Sequence, residues 1–398
     1  MTEQAYDCVV VGGGPAGATA ATDLAAAGRS VLLLDRGGRI KPCGGAIPPR
    51  LIADFAIPEA LIVGRASLAR MIGPSNEEVD MPVSVDGNGG FVGMVDREMF
   101  DEWLRNRAEQ AGAQRRTGTF DRIDRDADGN AVVVYHDSRG GPECRVSAKC
   151  VIGADGARSR VARAAFDDAE HMPCVFAYHE IIRSPATTDN AFDRARCDVF
   201  YQGTYSPDFY AWIFPHGDTA SVGVGSANKG FALRDSVERL RSQTGLDGCE
   251  TVRREGAPIP LKPLRKWDNG RDVLVIGDAA GVVAPASGEG IYYAMTSGRH
   301  GAEATELFLA TGNPKMLGQA RKRFMRAHGK VFWILGVMQH FWYRNDRRRE
   351  RFVTMCKDRD VQQLIWPAYM NKRLVYARPM AYARIFFKDM RHLLQSAT

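Results

Sequence analysis

The sequence predicts an α/β fold: a parallel-sheet lobe assembled from separated stretches, an antiparallel sheet interleaved with it, and a helical C-terminal region. Three observations predict it. Two glycine-rich turns, Gly12-Gly13-Gly14-Pro15-Ala16-Gly17 and Gly277-Asp278-Ala279-Ala280-Gly281, each close a short apolar run of the kind that forms a buried parallel strand. Between them lie short alternating runs broken by Gly73-Pro74, Asp86-Gly87 and Ser206-Pro207, which read as antiparallel strands and turns. Beyond residue 310 the chain turns basic and aromatic.

The first strand is Tyr6 to Val11. Gly12 allows a tight turn, Gly14 leaves room for a pyrophosphate against the backbone, and Gly17 lets helix pack on strand. Pro15 and Ala16 open a helix whose N-terminus faces the phosphates. A second strand, Ser30 to Leu34, ends in Asp35-Arg36. An acid there accepts hydrogen bonds from a ribose and disfavours a 2′-phosphate, so this Rossmann-like unit is built for FAD or NAD rather than NADPH.

Two distal segments choose between them. Cys150 to Ala154 is another strand, followed by the turn Asp155-Gly156; alone, that pair reads as a turn. Val273 to Ile276 leads into Gly277-Asp278, whose carboxylate suits ribitol or ribose hydroxyls, with Gly281 closing the turn. Gly288 and Gly290 then open a helix from Ile291, whose positive end suits the electron-rich pyrimidine side of an isoalloxazine. These halves make one flavin site, and the ligand is FAD.

With these motifs in order, the chain resembles the flavoprotein superfamily of aromatic hydroxylases and geranylgeranyl reductases, over roughly residues 5 to 310. The resemblance implies that the Asp155-Gly156 and Gly277-Asp278 segments both contact FAD, and that Arg97 opens a helix near it. Lys41-Pro42-Cys43-Gly44-Gly45-Ala46 and Tyr210-Ala211-Trp212-Ile213-Phe214-Pro215 with Gly223-Val224-Gly225 resemble the geranylgeranyl reductase pattern, nearest to the branch of (bacterio)chlorophyll biosynthesis. There the first loop passes beside the flavin, and the second pair of strands lines an isoprenoid tunnel. Tyr210, Trp212 and Phe214 alternate along one strand and so share a face; aromatic wall and ordinary core both fit that pattern. Gly223 and Gly225 leave space on the returning strand.

The expected domains are 1–65, 96–165 and 265–310 for FAD; 66–95 and 166–264 for substrate; and 311–398 as the basic, aromatic helical region. Asp124 to Gly141 reads as an exposed polar hairpin. At 398 residues, 45% hydrophobic and 25% charged, the composition is that of a large globular fold. A strand this early leaves no room for a cleavable signal, and the longest apolar stretch, Val331 to Tyr343, is too short to span a bilayer. The eight cysteines lack metal or disulfide spacing, so free thiols and no metal are expected.

From Lys315 onward there are 19 Lys and Arg against 5 Asp and Glu, in a chain of net charge +6. Phe332, Trp333, Phe341, Trp342, Tyr343, Trp366, Tyr369, Tyr376, Phe386 and Phe387 are interleaved with these cations. That mixture suits an anionic membrane surface, or a solvated cap with its own aromatic core; no nucleic-acid motif accompanies it.

The resemblance implies FAD-dependent, NADPH-driven reduction of geranylgeranyl to phytyl, on a prenylated chlorin or a prenyl diphosphate. It places the enzyme peripherally on the cytoplasmic side of the photosynthetic membrane, with a chlorophyll synthase as a further partner. The alternative is an aromatic-hydroxylase-type monooxygenase. Three proton sources stand for the alkene: water, His216 (otherwise a turn residue), or Cys43, which in an apolar site keeps its proton but otherwise only shapes its loop.

Overall fold

The computed structural model describes residues 4–38, 40–83, 90–138, 140–186, 192–362, 370 and 372. The Asp86-Gly87 turn and Trp366, Tyr369, Tyr376, Phe386 and Phe387 of the tail lie outside the described residues. The chain divides into two compact units. The first comprises Met1–Cys43, Asp96–Phe176 and Ala257–Phe332; the second Gly44–Val95, Ala177–Gly256 and Trp333–Thr398.

The first unit is built on strand Gln4–Val11, which pairs in parallel with Val31–Asp35 on one side and Glu143–Gly153 on the other. Val273–Val275 adds to the far side of Glu143–Gly153, also in parallel. Register aligns Val11 with Gly153, and Gly153 with Val275. The carboxyl ends of three adjacent parallel strands therefore lie side by side, each followed by a glycine-bearing turn. Such ends are where open α/β sheets bind ligands. Helix Ile291–Thr311 meets helix Pro15–Ala26 closely enough that a Cβ at Gly298 would lie 2.4 Å from the Ala16 carbonyl oxygen.

The expected exposed hairpin is corrected here. Thr119–Arg125, Ala131–His136 and Glu143–Gly153 are antiparallel strands, and Ala131 to Tyr135 are buried. The apolar run Ala-Val-Val-Val-Tyr outweighs its polar flanks.

The second unit carries a twisted sheet in the spatial order 251–260, 174–183, 219–226, 211–216, 196–200, 68–72, 78–82. One face is an aliphatic core under helix Leu233–Gln243, including Ile182, Ala211, Ile213, Val222, Val224, Val237 and Leu240. A smaller sheet joins Ala46–Ile47 and Ile62–Ala66 to opposite sides of Val92–Val95. This pairing draws residues 44–65 into the second unit, whereas the sequence reading assigns them to the FAD lobe. The C-terminal division also differs: helix Gln319–Trp342 begins in one unit and ends in the other. Among the described residues no helix is long and apolar enough to cross a membrane.

Candidate functional site

In the first unit the glycine turns meet. Gly12 has φ +109°, and a Cβ there would lie 2.3 Å from the Ala154 carbonyl oxygen. The Ala154 N–H donates to the Val11 carbonyl (2.7 Å), and the Ile276 N–H to the Gly153 carbonyl (2.9 Å). Ser297, on the helix opened by Gly290, accepts from the Gly277 N–H (2.9 Å). Sequence-distant turns are thereby held as one surface by main-chain bonds.

A cavity of about 460 Å³ opens on that surface. Its lining includes Gly12, Gly14, Pro15, Ala16, Asp35, Arg36, Asp155, Gly156 and Asp278 from the predicted set. A Cβ at Gly14 would meet nothing within 4 Å, so this glycine leaves an open cradle at the helix N-terminus. Asp35 accepts from the N–H of Gly13 (2.7 Å) and of Gly37 (3.1 Å), fixing the first turn while keeping lone pairs for a ribose. The cradle, the ribose acid and the cations Arg36, Lys41, Arg105 and Arg158 in the wall fit the phosphates and sugars of a dinucleotide.

Other predicted residues build the wall instead of lining it. A Cβ at Gly17 would lie 1.9 Å from the Gly12 carbonyl oxygen, and one at Gly277 2.7 Å from the Ala16 Cβ. Gly281 and Gly288 take left-handed turns, and Gly290 caps helix Ile291–Thr311 with no side chain in the way. Asp155 faces the cavity, but its carboxylate accepts from Ser159 Oγ (2.5 Å), the Arg160 N–H (2.7 Å) and the Val161 N–H (3.3 Å). It caps the next helix. Burial raises its pKa against those hydrogen bonds.

Arg97 does open a helix, Arg97–Gln110, capped by Asp96. It is not a solvated first-turn charge: it is 5% exposed and its guanidinium grips Asp101 at 2.8 and 2.7 Å. Burial opposes its charge, but Asp101 and the Cys43 sulfur, to which it also hydrogen-bonds, outweigh that and raise its pKa. The expectation of an apolar setting for Cys43 is corrected: this thiol lies beside a cation. Sequence reading also missed Lys41, which pairs with Asp278, and Arg105, which donates to the Gly13 carbonyl (3.4 Å). The signal for Arg105 was present, since Arg97, Asp101 and Arg105 recur at helical spacing on one face.

In the second unit, strand Ala211–His216 runs antiparallel to Thr219–Ser226, with Trp212 opposite Gly223 and Phe214 opposite Ser221. Tyr210, Trp212 and Phe214 form a ladder with ring centroids 6.0 and 6.2 Å apart. Gly44 rests on it: a Cβ there would lie 3.2 Å from Phe214 Cδ2 and 3.8 Å from Trp212 Nε1. Gly45, at φ +68°, is hemmed by His216 and the Val95 carbonyl, and Ala46 pairs with Met94. The space expected at Gly223 is taken, because a Cβ there would lie 2.3 Å from Trp212 Cζ2 and 2.6 Å from the His179 Cβ. Gly225 donates its N–H to the Tyr210 carbonyl (3.2 Å). His216 ends its strand with Nδ1 3.0 Å from the Phe214 carbonyl oxygen.

Two family descriptions match: "FAD binding domain" over residues 52–300 and "NAD(P)-binding Rossmann-like domain" over residues 10–49. The geranylgeranyl diphosphate reductase of Rhodobacter capsulatus is 55% identical over 98% of this chain and 97% of its own. This chain belongs to the geranylgeranyl reductase family. FAD is the cofactor of this family member, an oxidoreductase. The geranylgeranyl diphosphate reductase of Synechocystis is 37% identical over 97% of either chain. A geranylgeranyl bacteriochlorophyll reductase-like protein from Thermoplasma acidophilum shares the fold, with TM-score 0.80 and 22% identity over 95% of this chain and 99% of that one.

Proposed function

We propose that this chain reduces the double bonds of a geranylgeranyl chain to phytyl, carried on a chlorin or a diphosphate, in (bacterio)chlorophyll formation. The observation that carries the reading is the Tyr210–Trp212–Phe214 ladder with Gly44 seated on it, in a chain 55% identical to a geranylgeranyl diphosphate reductase. FAD, when bound and reduced by NADPH, would supply the hydride. Gly12 and Gly14 would admit the pyrophosphate, Asp35 would accept hydrogen bonds from the ribose hydroxyls, and Asp278 would hold the ribityl chain. The Tyr210, Trp212 and Phe214 rings offer the prenyl chain an aromatic wall. Cys43 donates the proton, its sulfur held by a hydrogen bond to the Arg97 guanidinium.

The test is anaerobic turnover with NADPH and either geranylgeranyl substrate, read by product mass. Stepwise gain of hydrogen supports the reading; a need for oxygen with oxygen in the product replaces it with the hydroxylase reading. Gly14→Val serves as control and abolishes FAD retention.

The enzyme works on the cytoplasmic face of a photosynthetic membrane. Support comes from Trp333, Val337 and Phe341, one helical stripe that is 71%, 50% and 37% exposed. Arg348 stacks on Phe341 at 4.3 Å, and Arg344 and Arg347 are exposed beside it. Exposed apolar side chains with cations close in sequence suit an anionic bilayer surface. Co-sedimentation with phosphatidylglycerol vesicles, lost in Trp333→Ser, checks this. Partnership with a chlorophyll synthase rests on the family resemblance.

A further inference from the structure

The aromatic face of the second unit's sheet contains a polar chain that packing does not require. Trp212 Nε1 donates to Ser221 Oγ at 3.1 Å. The same oxygen lies 3.0 Å from His179 Nδ1. On the other side of that ring, Nε2 is 3.1 Å from Glu255 Oε2, and Glu255 is paired in turn with Arg253. The Nε2 contact does not align as a hydrogen bond, so the carboxylate bounds the ring edge by close packing. Ser221 is fully buried, His179 2% exposed and the Glu255 side chain 9% exposed.

Holding a carboxylate against a buried imidazole is costly, and an apolar replacement would usually stabilise the fold as well or better. This chain therefore calls for a purpose beyond stability. It ends on a single group, the indole N–H, which can only donate and so points wherever Ser221 holds it. The indole is confined on its flat side as well, lying over Gly223 where a Cβ would collide with it. Its Nε1 edge is also the atom facing Gly44, the loop residue seated on the ladder.

We propose that Glu255, His179 and Ser221 are positioning residues that lock the Trp212 indole, and through it set how deeply a prenyl chain slides along the aromatic wall. The inference rests on the prenyl-reductase reading above. A locked ring gives each successive double bond the same stop; a swinging ring lets the chain stall at intermediate depths. The relay is therefore a determinant of how completely the substrate is reduced.

The test uses FAD-loaded full-length protein with 15N-labelled tryptophan. Trp212→Phe assigns the Trp212 indole N–H resonance. Ser221→Ala and His179→Gln are each expected to shift that resonance and speed its exchange with solvent by about tenfold or more, the signature of a lost hydrogen bond. With geranylgeranyl substrate, both raise KM by about 3- to 10-fold with a smaller change in kcat, and partly reduced products accumulate. In the Trp212→Phe background, Ser221→Ala adds nothing further, because the indole N–H that it served is gone. An unmoved resonance in His179→Gln, or additive effects in the double variant, overturns the proposal. Wild-type enzyme that reduces no geranylgeranyl substrate sinks the functional reading instead, and the resonance still reports whether the relay holds the ring.

Discussion

The two faces of the second unit's sheet come from the same strands and differ in nearly every respect. Ala211 and Ile213 point to one face, Tyr210, Trp212 and Phe214 to the other; Val222 and Val224 oppose Ser221 and Gly223. The first face is largely aliphatic and covered by helix Leu233–Gln243, and its buried charges are closed ion pairs, Glu180 with Arg241 and Arg196 with Asp198. The second is aromatic, is interrupted by glycine, and contains His179, Ser221 and Glu255. One face follows the economics of a folding core. The other threads a polar relay between its rings and leaves out a side chain at Gly223, which is what a face shaped for a ligand requires.

The contrast can be broken most directly on the aliphatic side. Ile213→Ala is expected to cost about 2–5 kcal/mol in urea unfolding of the FAD-loaded protein. Turnover per bound flavin should stay at the wild-type level; a changed product pattern would mean that the faces are not separate. Gly223→Ala comes next. Its methyl displaces the Trp212 ring at a cost of about 1–3 kcal/mol and takes prenyl turnover with it, while flavin content holds. Trp212→Phe is milder, raising KM for the prenyl substrate about 5-fold, or roughly 1 kcal/mol, with little change in melting temperature.

The smallest effect is a pH dependence. Burial raises the Glu255 pKa, but His179 and Arg253 beside it outweigh that and leave it below its ordinary 4.5. A depressed acid contributes stability that is complete above its unfolded pKa and is lost as pH falls through the folded value. Glu255→Gln should therefore be less stable than wild type above about pH 4.5 and converge on it in stronger acid, as read from urea midpoints.

The glycine turns were legible in the sequence because each answers a local demand: Gly12 needs positive φ, and Gly17 and Gly277 need the absence of a side chain. The aromatic ladder was legible because alternation has a period of two. What escaped was decided by partners far along the chain, and these leave no periodic trace. Arg97 sits beside Cys43, Lys41 reaches Asp278, and strand Ala46–Ile47 has too few residues to announce its pairing with Val92–Val95. The emptiness read at Gly223 was real as geometry, yet Trp212 occupies it, and only the cross-strand register shows that.

The tail aromatics divide in the same way. Phe332 packs with Tyr293 and Phe324, whereas Trp333 is out in solvent. Tyr343 and Phe352 are buried against Tyr201, at 5.3 and 5.2 Å between centroids. The helix that carries Phe352, Asp346–Met355, is bolted down. Buried Arg349 bonds to the carbonyls of Pro207 and Tyr343, Asp346 accepts from the Gly203 N–H (2.8 Å), and Glu350 accepts from the Ser75 N–H (2.9 Å).

That fastening has a consequence for synthesis. Tyr201 and Phe209 leave the ribosome long before the segment that covers them. Every nascent molecule thus passes through an interval with these rings bare, and a message cut short before codon 343 would yield a polypeptide permanently in that sticky condition.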